Sequence, residues 1–189
     1  MMTSEEYAAL RAELASLRKQ RVQSVYGLIP ASVEHLEQLL ATTASDDERA
    51  ALYALLLSEC SRAQNDRLYI DCLRRRVRDL PNDPMSYAGL AFRLAMIEPE
   101  HRGEALATAD KAVELAKSQG RQVRYCATNL ARISLMLDDY EALDRALKEL
   151  VADVGNEREE DTGYEFDFVD QIDVQRIDAG LLARYKELA

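Results

Sequence analysis

A short apolar pattern recurs along the sequence, and it constrains the fold more than any other feature. Each copy places four apolar or small residues at helical spacing: Tyr53, Leu56, Leu57 and Cys60, then Tyr87, Leu90, Ala91 and Leu94, then Ala127, Leu130, Ala131 and Ser134. The second copy follows the first by 34 residues, and the third follows the second by 40. A helical hairpin of this length cannot bury its apolar face alone. The repeat therefore predicts an all-α chain of stacked helix pairs.

Capping residues and prolines divide the middle of the chain into three such pairs. Only 7 glycines and 4 prolines interrupt the 189 residues, which favours long helices. Ser45 starts a capping box, Asn65 or Asp66 begins the next helix, and Gly120 is placed to end a later one. The predicted pairs occupy residues 46–81, 82–119 and 120–153, with helices over 46–63, 66–80, 84–97, 101–118, 122–137 and 139–152.

The two ends of the chain are predicted to cap this stack, because the last apolar faces of a repeat array must be covered. Residues 1–45 are expected to form an N-terminal capping helix pair, whose first helix runs from a Ser4 cap to about Val25 and whose second follows Pro30. Residues 170–189 are expected to form a C-terminal helix, over about 170–188. The alternative is that either cap is a dimerisation helix, so the chain is expected to be a monomer or a homodimer through a terminal helix.

The joints between the units resemble those of tetratricopeptide repeats. The resemblance consists of Leu80-Pro81-Asn82-Asp83-Pro84 between units, a Tyr-x-x-Leu-Ala/Leu start to the first helices, Ala105 and Ala112 in a second helix, and Asn129-Leu130-Ala131 followed by Asp138-Asp139-Tyr140. It covers about residues 46–153, although Tyr69 stands where the family prefers Ala and Trp is absent. The resemblance implies a right-handed superhelix of about 8–9 helices with capping helices at both ends. A generic helical bundle is the alternative.

In tetratricopeptide-like scaffolds the first helices of the pairs line a concave groove that binds a peptide or a helix. Carried onto this sequence, the resemblance implies groove positions at Ser58, Arg62, Met85, Phe92, Met96, Asn129, Arg132 and Met136. Met and Phe suit an adaptable apolar contact, and the Asn129 amide is expected to hold the backbone of an extended ligand. The family's carboxylate clamp is not matched, since Ala54, Ser58 and Gly89 stand at three of its positions. The alternatives are that the stripe belongs to the core or that a segment of the same chain fills the groove.

Most of the negative charge lies in one stretch near the C-terminus. The net charge is −10, and −7 of it falls between Asp153 and Asp170. Residues 154–169 are therefore predicted to form an acidic, aromatic-bearing loop, with Glu159, Glu160, Asp161, Tyr164, Phe166 and Phe168 as its candidate contact residues. The loop either packs its rings onto the domain or offers them to a partner. A second hypothesis follows, in which the protein is an inhibitor of the immunity type that blocks a basic partner such as a nuclease.

One basic cluster, Arg74-Arg75-Arg76 with Arg78, stands out in the first repeat unit. Four arginines over five helical positions spread around more than one face. They are expected to pair with Asp71 and Asp79, and the alternative is that they dock the acidic loop.

The sequence lacks the signatures of catalysis. It has no Gly-rich phosphate loop, no nucleophile elbow, no strand pattern to carry either, and no His or Cys at the spacing of metal ligands. We expect no enzymatic activity, no cofactor and no metal. The acidic charge disfavours nucleic acid and anionic lipid as partners, and no apolar run is long enough to span a membrane. The leading prediction is a cytoplasmic, non-enzymatic adaptor for a protein partner, with a secretion-type chaperone as a third hypothesis.

Overall fold

A computed structural model describes residues 3–97, 99–153 and 169–188. The described chain is mostly helical, which confirms the all-α prediction. The helices are α1 (Ser4–Leu17), α2 (Ala31–Thr42), α3 (Asp46–Arg62), α4 (Asp66–Asp79), α5 (Pro84–Ile97), α6 (Arg102–Gln119), α7 (Val123–Met136), α8 (Tyr140–Ala152) and α9 (Ala179–Leu188). Short 3-10 turns lie at Pro99–His101 and Val169–Gln171. The chain divides into two compact units, Met1–Pro81 and Asn82–Ala189.

The first unit contains α1 to α4 and a small β-hairpin. Helix α2 packs against α1 and α3, and α3 packs against α4. The core is aliphatic, with Leu14, Val33, Leu36, Leu56 and Leu73 at most 2 % exposed. Two predicted caps hold these helices: Ser45 Oγ accepts a hydrogen bond from Glu48 N, and Asn65 Oδ1 accepts one from Leu68 N.

The hairpin corrects the prediction for the N-terminal residues. Helix α1 ends at Leu17 rather than near Val25, and β1 (Arg21–Ser24) pairs antiparallel with β2 (Gly27–Pro30). A tight turn joins the strands, in which Gly27 has φ of +88° and Tyr26 N donates to Ser24 Oγ at 3.1 Å. The β-branched Val22 and Ile29 favour strands, and Gly27 supplies the positive φ that the chain takes directly after the two-residue turn Val25-Tyr26. The predicted cap is also off by one residue, because Thr3 and Glu6 form a capping box.

A buried carboxylate joins three elements of the first unit. Glu59 of α3 is 2 % exposed. Arg18, at the end of α1, donates to it from Nε at 3.0 Å and from a terminal nitrogen at 2.6 Å, and Ser32 Oγ of α2 donates at 2.9 Å. Burial raises the pKa of Glu59, but the hydrogen bonds from Arg18 and Ser32 and the charges of Arg18 and Arg62 outweigh it, so the net pKa is lowered.

One arginine of the α4 cluster, Arg75, pairs differently from the prediction. Arg75 forms a bidentate ion pair with Glu37 of α2. Asp71 instead accepts a hydrogen bond from the Tyr26 hydroxyl at 3.0 Å, and Asp79 accepts one from the Tyr53 hydroxyl at 2.6 Å. The expected pairing with Asp71 and Asp79 is therefore wrong for Arg75. A guanidinium and a carboxylate on neighbouring helices can align two parallel hydrogen bonds, which neighbours on one helix turn rarely achieve.

The second unit contains α5 to α9. Helix α5 packs against both α6 and α7, α7 packs against α6 and α8, and α9 packs against α8. Buried alanines line α6 at regular helical spacing: Ala105, Ala109, Ala112 and Ala116. Small side chains allow neighbouring helix backbones to approach closely. Gly120 ends α6 in the left-handed conformation, with φ of +62°, as its position in the sequence predicts.

The C-terminal helix is shorter than predicted. It begins at Ala179 rather than near residue 170. Asp178 supplies the cap, because its Oδ1 accepts a hydrogen bond from Leu181 N at 2.7 Å. Before it, Asp173 Oδ1 accepts from Gln175 N at 3.0 Å, so this aspartate stabilises a turn rather than a helix.

Candidate partner-binding face

Helices α5 and α7 carry the same arrangement of side chains. Each has a stripe of residues at i, i+4, i+7 and i+11 that is exposed or half-buried except at Asn129: Met85, Gly89, Phe92 and Met96 on α5, and Tyr125, Asn129, Arg132 and Met136 on α7. Each α7 position follows its α5 equivalent by 40 residues, the spacing of the repeat itself. Both helices pack against α6 and against each other.

The C-terminal residue of each stripe is its most exposed member. Met96 is 50 % exposed and Met136 is 47 % exposed. Met85, Phe92 and Arg132 are half-buried. Met96 and Met136 therefore lie at the surface, and Phe92 lies at the boundary with the core. We call the set Met85, Phe92, Met96, Asn129, Arg132 and Met136 the α5–α7 face.

The Asn129 amide, which is expected to hold the backbone of a ligand, makes a hydrogen bond within α7. The side chain is buried, with the residue 7 % exposed, and its Nδ2 donates to the Tyr125 carbonyl oxygen one turn earlier at 3.0 Å. One amide hydrogen is therefore already engaged within α7. The nearby Thr128 hydroxyl is buried as well.

The remaining predicted contact residues do not belong to the α5–α7 face. Ser58 and Arg62 are exposed side chains on α3 of the first unit, where Arg62 Nε lies 3.9 Å from Glu59. The candidate loop residues lie outside the described part of the chain: Glu159, Glu160, Asp161, Tyr164, Phe166 and Phe168.

Helices α6 and α8 present a contrasting, charge-paired surface. Arg102 pairs with Asp139 at 3.0 Å, Arg145 with Asp110 at 3.0 Å, and Lys117 with Glu149 at 2.7 Å. Asp139 also caps α8 by accepting from Ala142 N, and this hydrogen bond, with the help of Arg102, lowers the pKa of Asp139 despite its partial burial. Side chains of opposite charge thus compensate one another on these two helices.

A pocket that sequence reasoning missed lies beside α8. It has a volume of about 370 Å³ and is lined by Tyr140, Glu141, Asp144, Arg145, Arg176, Ile177 and Asp178. The Arg176 guanidinium lies 3.8 Å from the centre of the Tyr140 ring and pairs with Asp138. No sequence motif indicates this pocket, because three of its seven lining residues come from the irregular chain before α9.

Two features that bear on catalysis are the placement of candidate metal ligands and the state of the cysteines. The described residues contain no group of three or more His, Cys, Asp or Glu side chains placed to hold a metal ion. Cys60, Cys72 and Cys126 are buried free thiols. Contact with Cys60 and burial raise the pKa of Cys72, which is the opposite of what activates a cysteine nucleophile.

None of the described helices combines the length and the apolar character that crossing a membrane requires. No family model matches the sequence. Comparison with curated proteins and with solved structures gives no significant match either.

Proposed function

We propose that the protein is a non-enzymatic, tetratricopeptide-like adaptor whose second unit binds a partner peptide or helix on the α5–α7 face. The observation that carries the proposal is the equal exposure of Met96 and Met136 at equivalent positions of two packed helices. Flexible thioether side chains adapt to different apolar ligand groups. A helix or extended segment laid across both helices would cover them together.

The packing of the second unit supports this function. In a tetratricopeptide-like stack, the first helix of one pair contacts both its own partner helix and the first helix of the next pair. Helix α5 makes these two contacts, with α6 and with α7. The groove of such a stack is lined by first helices, and α5 and α7 are the first helices of their pairs.

A partner is expected to gain affinity by covering the methionines. Full burial of a Met side chain is worth about 1.5–3 kcal/mol, and each of these is already half covered. Covering both should contribute about 2 kcal/mol, or roughly thirtyfold in Kd.

The test replaces the two methionines by glutamate in the full chain. Wild type, Met96→Glu/Met136→Glu and Val174→Glu are used as bait in quantitative affinity capture from cell lysate, after circular dichroism has verified equal helix content. Val174 is a matched control, since it is a 57 % exposed apolar residue of the same unit. The double variant should lose specific partners at least tenfold while Val174→Glu keeps them. An identical partner set for all three proteins would refute the assignment of the face.

A further inference from the structure

The outer edge of strand β1 carries backbone groups that the hairpin does not use. In an antiparallel pair, facing residues alternate between exchanging two hydrogen bonds and exchanging none. Gln20 and Ala31 continue the register of the two strands, and Ala31 N donates to Gln20 O at 3.0 Å, so this pair is a bonded one. The N–H and C=O groups of Arg21 and Gln23 therefore point away from β2.

These outward-pointing groups are open to another strand. Within the part of the chain that the structure describes, no hydrogen bond reaches the backbone N–H or C=O of Arg21 or Gln23. The outer edge of β2 differs, because Pro30 has no N–H to offer there and leads directly into α2. An unpaired strand edge is a template for pairing with a further strand. The hairpin thus has one edge that can be extended.

The charge around β1 is positive. No Asp or Glu occurs in residues 14–33, whereas Arg18, Lys19 and Arg21 all lie there. Glu59 compensates Arg18. Lys19 is exposed and forms no ion pair with the described residues, and the exposed Arg21 guanidinium donates only to neutral backbone carbonyl oxygens. The charges of Lys19 and Arg21 are therefore not neutralised by a carboxylate of the described chain.

We propose that the outer edge of β1 takes an extended, acidic peptide of a partner protein as a third strand. The peptide backbone bonds to the N–H and C=O groups of Arg21 and Gln23, and its Asp or Glu side chains meet Lys19 and Arg21. An apolar side chain of the peptide covers Val25, which directly follows β1 and is 89 % exposed. This site belongs to the first unit and does not depend on the function proposed for the α5–α7 face.

Charge complementarity and the open edge together select this occupant. A second copy of the chain would bring the cations of two β1 strands together, and like charges on neighbouring strands are unfavourable. An anionic lipid surface would attract Lys19 and Arg21, but it offers no strand to bond with the backbone of the edge. A basic peptide would bond with the edge and be repelled by both cations.

Two short synthetic peptides test the proposal with the full-length protein. Val alternates with Glu in one and with Lys in the other, so both favour an extended chain and differ only in charge. In fluorescence anisotropy titrations, the acidic peptide should bind at least about tenfold more tightly, and its affinity should fall severalfold between about 50 and 300 mM salt. Equal affinities, or no binding of the acidic peptide at about 1 mM protein, would overturn the proposal.

A proline at the edge separates strand addition from electrostatic attraction. Gln23→Pro removes an outward N–H that the hairpin does not use and should weaken the acidic peptide at least about tenfold. Gln23→Thr is the matched control, because it changes the same side chain and keeps the N–H, so it should bind as wild type does. Equal binding by both variants would overturn strand addition.

Hydrogen exchange followed by NMR gives the same information without a variant. The amides of Arg21 and Gln23 should exchange severalfold more slowly when the acidic peptide is bound, because each then donates to the peptide backbone. Unchanged exchange at both amides in the peptide-bound protein would also overturn strand addition.

Charge reversal tests the two cations. Lys19→Glu/Arg21→Glu should weaken the acidic peptide at least about tenfold. Arg184→Glu/Lys186→Glu is the control, because it makes the same change in net charge at exposed positions of α9, and it should retain the peptide. Equal weakening by both variants would show a general field effect and overturn the proposal.

Three further outcomes would assign the observations to another site or occupant. Loss of the acidic peptide in Met96→Glu/Met136→Glu would place it on the α5–α7 face. Concentration-dependent self-association that Gln23→Pro abolishes would assign the edge to a second copy. Binding to phosphatidylserine vesicles without binding of the acidic peptide would assign Lys19 and Arg21 to a lipid surface. Each of these results would overturn the proposal.

Discussion

Removal of Arg18 should destabilise the first unit through the carboxylate that it leaves behind. Breaking a buried ion pair by removing one partner costs about 3–5 kcal/mol, because the other charge stays buried without compensation. The Glu59 side chain is 3 % exposed, but that of Arg18 is 36 % exposed, so water reaches one side of the pair. Ser32 also continues to donate to Glu59. We therefore expect Arg18→Met to cost about 2–3 kcal/mol.

Urea unfolding followed by circular dichroism measures this cost, since the chain has no Trp for fluorescence. Arg11→Met is the matched control, because it makes the same change at an exposed position of α1; it should alter the free energy of unfolding by less than about 0.5 kcal/mol. In a double-mutant cycle, Arg18→Met with Glu59→Gln should cost about 1–2 kcal/mol less than the two single changes added together. A loss below about 1 kcal/mol for Arg18→Met, or additive single effects, would refute the reasoning.

The same pair gives the stability a defined dependence on pH. The native pKa of Glu59 lies below its ordinary value, so the folded state favours the ionised carboxylate more than the unfolded state does. The resulting stability is fully present above the ordinary carboxyl pKa and is lost as the pH falls through the lower native pKa. Glu59→Gln should therefore flatten the acid side of the stability curve. An unchanged acid limb would contradict the assignment.

Two substitutions and one labelling experiment test other features of the structure. Tyr53→Phe removes a buried hydroxyl that donates to Asp79 at 2.6 Å and should lower the free energy of unfolding by about 1 kcal/mol, measured by urea unfolding. Gly120→Ala should cost about 1 kcal/mol in the same assay because of the left-handed backbone alone, since an added Cβ would have open space around it. Cys60 and Cys72 should react with a thiol reagent only at the rate of unfolding, because both are fully buried; rapid labelling of the native protein would contradict their burial.

The sequence predicts most helices because local and repeat signals agree there. Pro84 fixes the first turn of α5 and the 34-residue spacing fixes its apolar face, and α5 has the bounds that were predicted, 84–97. The N-terminal residues lack such agreement. Leu10, Leu14 and Leu17 establish a helical period that Val22 extends, whereas β-branched side chains and Gly27 indicate a hairpin. The turn at Gly27 prevails over the helical period in that segment, and the predicted helix is wrong after Leu17.

Side-chain exposure is harder to predict than helix position. Met96 and Ala95 are neighbours, yet the former is 50 % exposed and the latter 5 %. A helical period identifies which residues share a face but not which face meets another helix. Asn129 illustrates the limit, because its spacing matches a ligand-binding position while its amide bonds to Tyr125. Ion pairs between helices, such as Arg75–Glu37, depend on packing that no local pattern encodes.

The exposed methionines of the α5–α7 face occupy corresponding positions on two helices, and this correspondence matters more than their exposure. Single exposed apolar side chains are common on protein surfaces and need no explanation; Val25 of the hairpin is 89 % exposed. Met96 and Met136 differ because they occupy equivalent repeat positions and have nearly equal exposure. A ligand laid across both helices, as proposed above, would contact the two methionines together, which is why the double substitution Met96→Glu/Met136→Glu is the decisive variant.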